Sequence, residues 1–571
     1  MYVKKNSCKN GRVLLTLTHN YRENGKVKQK NIETLGYLDD LEKQFDDPLA
    51  HFREIARQRT ELMAEASAPI ELTLDPQAAI TKYEIGVKNL GYAILEKLYH
   101  ELEIHKFFAR RENRLNIDFN LNALFRLLVY SRVLSPGSKR QAYEQQDRFF
   151  EKMAPSLEAV YRGLDYFDRF NLDLQAWLTE AVLKRYGIDW EYAYYDVTNY
   201  YFEIDQEDDL RRKGPSKEHR TSPIVQMGLL LNRQGLPLAY HLFPGNQSEK
   251  RSLNPLVNRL KEDYHLGRLV VVADKGLNCG DNIAYQLAQG NGYVYSQSIR
   301  GADGEFKAYV LEQDGYRANG EHSRCKSRIY PKEITFTDAQ GKRKKIRVDQ
   351  KQVLFYSQKY ADKARYERSR TIAKAMRYIT SPTRMNRALT SGAAAYIKGL
   401  QYDRDGEIIE SKTRLYLDED RIREEEQYDG YYAIVTSELD KSDTEIIELY
   451  QGLWKIEETF KISKSDLRTR PIYVSLEAHI EAHFLTCFVA LLLMRILELR
   501  MNQASEGRLF STFELLNSLR QYNCTHVSEN IYNFHYTDDV IKQIEQVFQV
   551  DLNKRFRKRG EIKKLIASMK K

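Results

Sequence analysis

The spacing of hydrophobic and polar positions changes several times along the chain, and each change predicts a different kind of structure. Residues 13–22 and 26–35 alternate around Asn24-Gly25, a pair that tolerates positive φ at both positions, so a β-hairpin is expected. Residues 47–66 are charged with helical spacing, and residues 67–76 have the composition of a linker. From 81 to 186 the pattern is helical, with segments near 87–102, 121–134 and 139–150. Between 191 and 299 it turns to strands at 191–202, 224–231 and 236–243, a helix at 250–264, a strand at 268–273, a helix at 281–289 and a strand at 293–299. A meander followed by crossover units predicts a mixed sheet flanked by helices. Residues 301–440 differ in period and charge from both flanks and read as an inserted subdomain, with strand-like runs at 332–336, 344–348 and 431–436 and a basic helical stretch at 359–377. Ser442-Asp-Thr-Glu445 has capping-box spacing and Pro471 stops the pattern, which predicts one helix of roughly 25 residues. The apolar run 484–494 is too short to span a bilayer and reads as a buried helix.

Length and charge narrow the picture. At 571 residues the chain exceeds a single core, and roughly 100 to 200 residues per domain suggests several units. The formal net charge of +9 favours a polyanionic partner. Five scattered cysteines without CxxC spacing support neither a disulfide framework nor a structural zinc site, and no apolar leader is apparent. A reducing cytosol, away from membrane, is therefore expected. Residues 554–571 hold nine Lys or Arg and a single Glu, the composition of a basic tail that binds polyanions loosely or of a solvated helix. Lys26, Lys28 and Lys30 share one strand face that serves either phosphates or edge protection. The turn at 135–138 between two helical segments resembles a helix-turn-helix whose second helix opens on Lys139-Arg140.

The candidate chemistry lies in three acids. Asp196 sits in the middle of EYAYYDVTNYYF, a strand-forming stretch, where an unpaired carboxylate would be costly; a wet strand end is the plain alternative. Asp274 closes the apolar strand RLVVVA. On the helix before Pro471, measured from Tyr450 at 100° per residue, Trp454, Glu457, Lys461 and Lys464 fall within about 80° of arc. The alternative is a solvated Glu-Lys face. Three carboxylates converging over one sheet suit two hard divalent cations and in-line phosphodiester chemistry, with the lysines on the phosphate backbone. His479 and His483 in HIEAH read as core histidines, since no third zinc ligand is apparent. The 39 tyrosines either stack on bases or fill cores.

YYDVT around Asp196, the GPSKEHR loop, GLPLAYHLFPGN, VVVADKG around Asp274 and KSDLRTRPIYV occur in the order of insertion-sequence transposases with a DDE triad on an RNase H-like fold. The resemblance is to the subgroup with a tyrosine-arginine-glutamate-lysine signature, here Tyr450, Leu453, Glu457 and Lys464, with leucine at the arginine position. It implies that Asp196, Asp274 and Glu457 bind two Mg²⁺ or Mn²⁺ ions. It implies that Tyr450 and Lys464 contact DNA near the cleaved end, with Trp454 and Lys461 beside them and Lys455, Lys461 or an insertion residue replacing the missing arginine. Cut-and-paste transposition through a DNA hairpin, an aromatic pocket for a flipped base, terminal inverted repeats and target DNA as partners, and a homodimer on DNA follow from it. The expected class is α/β: a β-hairpin unit at 1–45, a helical DNA-binding region at 46–186, an RNase H-like core at 187–300 and 441–500 interrupted by a β-containing insertion at 301–440, and a basic helical C-terminal region at 501–571. The rival readings are a structure-specific nuclease without strand transfer and a non-catalytic DNA-binding derivative.

Overall fold

The computed structural model describes residues 1–8, 11–23, 26–65, 77, 86–187, 191–204, 206–214, 222–264, 267–338, 340–380, 392–398, 401–402, 408–409, 415–528 and 530–571. The Asn24-Gly25 turn, the 67–76 linker and the 215–220 part of the GPSKEHR loop lie outside these residues. The chain divides into two units, Met1–Lys82 and Tyr83–Lys571. In the first, β1 (Tyr2–Ser7), β2 (Val13–Glu23) and β3 (Lys26–Tyr37) form an antiparallel sheet in which Glu23 pairs with Lys26, and helix α1 (Pro48–Glu65) follows. Leu15 to Thr18 are all buried on β2, and Lys28 and Lys30 are exposed on β3.

The second unit opens with a short strand, β4 (Val87–Asn89), where the sequence pattern predicts helix. Helices α2 (Tyr92–Glu101), α3 (Ile104–Glu112), α4 (Leu121–Leu134), α5 (Lys139–Glu144), α6 (Leu157–Arg169) and α7 (Asn171–Tyr186) follow. Asn120, Ser138 and Ser156 cap α4, α5 and α6 by accepting backbone N–H bonds. The helix-turn-helix expectation fails on α5. It has only six residues, and Lys139 is buried against His483 instead of facing outward.

The central sheet is built as the meander-and-crossover pattern predicts. β5 (Tyr192–Tyr201), β6 (Ile224–Asn232) and β7 (Pro237–Pro244) are antiparallel; α8 (Leu253–Tyr264) leads to β8 (Val270–Ala273), parallel to β5, and α9 (Gly280–Ala288) to β9 (Gly292–Gln297), parallel to β8. After α10 (Gly304–Leu311), β10 (Arg317–Ala318), β11 (Ser323–Thr337) and β12 (Arg343–Ser357) come the basic helix α11 (Gln358–Thr380) and β13 (Tyr431–Thr436). These strands are not a separate β body. β13 pairs with β9, and the sheet runs β10-β11-β12-β13-β9-β8-β5-β6-β7.

One face of the sheet carries Tyr192, Tyr194, Val270, Val272 and Val294 into a core shared with the helices. The opposite face carries Ala193, Tyr195, Val271 and Ala273 into a smaller core under α8 and α9. Over the first face lie α12 (Asp443–Gln451), α13 (Trp454–Lys461), a π-helical turn at Ile462–Asp466 and α14 (Glu477–Ala504). α14 is long and apolar enough to cross a membrane, yet 94% of its most apolar window is buried inside the protein, where it packs on α4, α6 and β7. The single helix expected before Pro471 is broken at Gly452–Leu453. Gly452 lies so close to the sheet that a Cβ there would stand 2.5 Å from the Tyr194 hydroxyl, so close packing at the break leaves room for glycine alone.

The C-terminal residues also depart from the expected loose tail. α15 (Thr512–Gln521), β14 (Asn523–Ser528), β15 (Ile531–Phe534), α16 (Asp539–Phe548), β16 (Phe556–Lys558) and α17 (Arg559–Met569) are regular elements, and β16-β15-β14-β4 form a sheet. α17 buries Ile562, Ile566 and Met569 and packs on α2, so the basic residues belong to a folded amphipathic helix.

Candidate active site at the strand ends

Side chains on β5 alternate, so Asp196 points to the same face as Tyr194, beneath the α12 and α13 helices. It is half-buried, and its Oδ1 accepts a bond from the Val197 N–H at 2.7 Å. Tyr195 pairs with Ala273 in the parallel β5–β8 ladder. Asp196 and Asp274 are the next residues on those adjoining strands and share a face, across a strand spacing of about 4.8 Å.

Asp274 is exposed at the point where β8 ends. Its Oδ1 accepts hydrogen bonds from Ser296 Oγ at 2.7 Å and Tyr450 Oη at 3.3 Å. Both donors are neutral, and Asp274 has no ion pair among the described residues. Burial, with the Asp274 charge adding to it, pushes the Tyr450 hydroxyl well above its usual pKa, so it stays a donor. Asp274, Ser296 and Tyr450 line a cleft of about 250 Å³ together with Tyr360 and Tyr432.

Glu457 is exposed on α13, whose Ile456 and Phe460 pack into the core that holds Tyr194. It has no hydrogen bond or ion pair among the described residues, whereas the neighbouring Glu458 is tied to the buried Arg495 at 3.0 Å. Among the described residues no group of three or more His, Cys, Asp or Glu side chains stands close enough to share a metal ion. Two aspartates are thus brought to adjoining strand positions, and the glutamate is carried on the helix that packs on one of those strands. A carboxylate served by neutral donors, as Asp274 is, suits a hard divalent cation, so the chemistry of this donor fits such ions.

Lys464 lies in the π-helical turn and donates to Thr198 Oγ1 at 2.6 Å, on the β5 face that carries Asp196; its ammonium also stands 5.3 Å from the Tyr200 ring centre. Lys461 is exposed, and Trp454 is 56% exposed, which makes it a surface residue and not core packing. Leu453 is half-buried against the main core. Lys455 turns away to the Arg233 carbonyl at 2.7 Å, which removes it as a stand-in for the signature arginine. His479 and His483 have separate partners, Asp165 and the Thr469 carbonyl, in keeping with a structural reading.

Residues that sequence reasoning missed hold the Lys464 turn in place. Arg132 donates to the Leu467 and Arg468 carbonyls at 3.4 and 2.9 Å, and Arg520 donates to the Asp466 carbonyl at 2.7 Å. Ser463 Oγ is 3.0 Å from Tyr200 Oη and 2.9 Å from Thr469 Oγ1. His483 Nε2 donates to the Thr469 carbonyl, and its Nδ1 accepts from Lys139 Nζ at 2.9 Å. The available signal was an arginine inside the apolar run of α4.

Comparison with known proteins defines the class. Residues 203–493, more than half of the 571, match the transposase DDE domain, and the chain belongs to that family. It is a DNA transposase, an enzyme of DNA cleavage and transfer whose family depends on divalent metal. More particularly, residues 3–69 match the N-terminal domain of IS1634 family transposases. Asp274 and Glu457 fall inside the DDE match, and Asp196 lies just ahead of it. Among solved structures, the piggyBac transposase synaptic complex with hairpin DNA, from cryo-EM, aligns with 78% of this chain and 75% of its own at 8% identity and a TM-score of 0.35, too slight a likeness to bear on the fold. No curated protein matches the chain.

Proposed function

We propose that Asp196, Asp274 and Glu457 are the metal-binding acids of a cut-and-paste transposase acting at the ends of an insertion sequence. The observation that carries this reading is the aspartate pair: Asp196 within β5 and Asp274 just past the end of β8, one step beyond the Tyr195–Ala273 pair and on one face, with Asp274 held by two neutral hydroxyls and no ion pair among the described residues. The strand order β7-β6-β5-β8-β9, antiparallel and then parallel, supports an RNase H-like core at 187–300 and 441–500. Residues 301–440 act as the insertion, 1–45 and 46–186 as DNA-binding parts, and 501–571 as the C-terminal region.

Two Mg²⁺ or Mn²⁺ ions, when bound, would neutralise the attacking and leaving oxygens of the phosphodiester. The chain's own residues supply positioning. Tyr450 and Ser296 orient the Asp274 carboxylate toward its free edge, and Glu457 is available from α13. Lys464, held at Thr198, and the exposed Lys461 are suited to phosphates, and exposed Trp454 offers a face for a base. Tyr450, Glu457 and Lys464 fill the tyrosine, glutamate and lysine positions of the family signature; Leu453, at the arginine position, carries no charge. The tyrosines of the Asp274 cleft support a place for an extruded base during a hairpin step. Joining two ends to a target calls for two copies of the chain on DNA.

Asp196→Ala is expected to lose Mg²⁺-dependent nicking of a plasmid carrying the DNA ends that flank the gene, while end binding persists in a gel shift. Near-normal cleavage would take Asp196 out of the site.

A further inference from the structure

Helix α11 is the basic stretch that the proposed chemistry leaves unused. Its 23 residues span about 35 Å, close to one turn of B-DNA at about 34 Å. At 100° per residue from Lys359, the side chains of Lys363, Tyr366, Arg370, Lys374 and Arg377 fall near 40°, −20°, 20°, 60° and 0°, a single stripe about 80° wide. All six are exposed. The buried residues Ala361, Arg368 and Ala375 lie on the other side, near 160° to 200°, where Arg368 pairs with Asp429, and buried Tyr378 lies on the flank near 100°.

An ordinary solvated helix face interleaves acids with bases at i,i+4. This stripe contains no acid. The acids of the helix, Asp362 and Glu367, stand at its two edges, near −60° and 80°. Glu367 reaches Lys363 only at 3.9 Å, and Lys359, Arg370, Lys374 and Arg377 have no ion-pairing carboxylate among the described residues. Arg370 instead stands 5.9 Å from the Tyr366 ring centre, and Tyr366 is 63% exposed. The flank of the same helix reaches the candidate site, because Tyr360 and Ala364 line the cleft with Asp274. A rod-like polyanion lying along the stripe would pass beside that acid.

We propose that this face of α11 is a phosphate rail for the target duplex, the DNA into which the cut end is inserted. The proposal rests on the reading of the Asp274 cleft as the catalytic one. The stripe offers an unbroken row of Lys and Arg with no Asn, Gln or acid among them, a make-up that suits gripping backbone phosphates along DNA of many sequences. A transposon end, by contrast, must be told apart from other DNA.

The test uses the full chain with Lys363, Arg370, Lys374 and Arg377 all changed to Gln, beside a charge-keeping control with Lys363→Arg and Lys374→Arg. Binding of a random-sequence 40-bp duplex is followed by anisotropy across a salt series. The glutamine variant is expected to show a slope of log affinity against log salt shallower by about 3 to 4, while the control keeps the parent slope. On a plasmid carrying the flanking ends, strand transfer should fall at least tenfold further than end cleavage. An unchanged slope overturns the rail. Cleavage and transfer falling in parallel overturn the target assignment and give the face to the transposon end. Failure of the catalytic reading is seen separately, since Asp274→Ala would then keep cleavage in the otherwise unaltered chain.

Discussion

Glu96 and Asp274 are carboxylates in the same unit with opposite surroundings. Glu96 on α2 is fully buried, with Arg126 Nη2 at 2.6 Å and Tyr130 Oη at 2.7 Å on its Oε2. Burial alone would raise its pKa, but the His100 hydrogen bond, the Arg126 charge, the Tyr130 hydroxyl and Lys570 outweigh it and bring it down to about 2. Asp274 is exposed and, among the described residues, is bonded by the Ser296 and Tyr450 hydroxyls alone. In the first region the protein cancels its own charge and gains cohesion among helices far apart in sequence. In the second it orients a charge and leaves it uncancelled. A carboxylate positioned by neutral donors at a strand end is available to a cation from outside, whereas one already paired inside is committed to the fold.

The largest effect should come from breaking the paired region. Glu96→Gln leaves Arg126 buried with only Glu151 opposite, at 2.7 Å, and is expected to cost about 3 kcal/mol in urea denaturation. Asp274→Asn should leave stability within about 0.5 kcal/mol of the parent, because an exposed residue without an ion pair contributes little. Equal destabilisation by the two changes would erase the distinction.

Much of this contrast was legible from residue patterns, and its limits have physical causes. The runs YAYYDVT and VVVADKG read as strands because buried strands are continuous in apolar and aromatic residues, and the acids stand out against them. That Asp196 and Asp274 occupy adjoining register positions depends on strand pairing, which no local pattern encodes. The close approach of Gly452 to the Tyr194 hydroxyl, at the point where the helix breaks, was invisible for the same reason: the two residues are remote in sequence. In the C-terminal segment, charge obscured the spacing of Ile562, Ile566 and Met569, which is that of an amphipathic helix. Lys139 misled in the opposite sense, since a helix of six residues is too short for periodicity to tell its inner face from its outer one.

Lys139 sharpens the comparison as its mirror image, a cation with a neutral partner but buried. Burial and the Arg132 charge push its pKa down to about 7. Between that value and its unfolded value of about 10.4 the unfolded chain holds the extra proton, so this group makes stability rise with pH across the window. Below about pH 7 both states are protonated and its contribution is flat. In Lys139→Met the rise should be missing, a difference of at most about 1.4 kcal/mol per pH unit in denaturation curves at pH 7, 8 and 9. Parallel pH profiles for parent and variant would mean that the lysine keeps its charge inside the protein.

The smallest effect tests the neutral donors themselves. Tyr450→Phe removes one of the two hydroxyls on Asp274 Oδ1 and leaves the ring and the cleft wall in place. A neutral hydrogen bond is worth about 0.5 to 1.5 kcal/mol, so the effect on cleavage should be no more than about tenfold. If the hydroxyl works by aiming the carboxylate at a cation, the loss should appear as a higher Mg²⁺ concentration for half-maximal nicking and shrink when Mg²⁺ saturates. A loss of the same size at every Mg²⁺ concentration would instead put Tyr450 on the DNA and leave Ser296 as the sole group that orients Asp274.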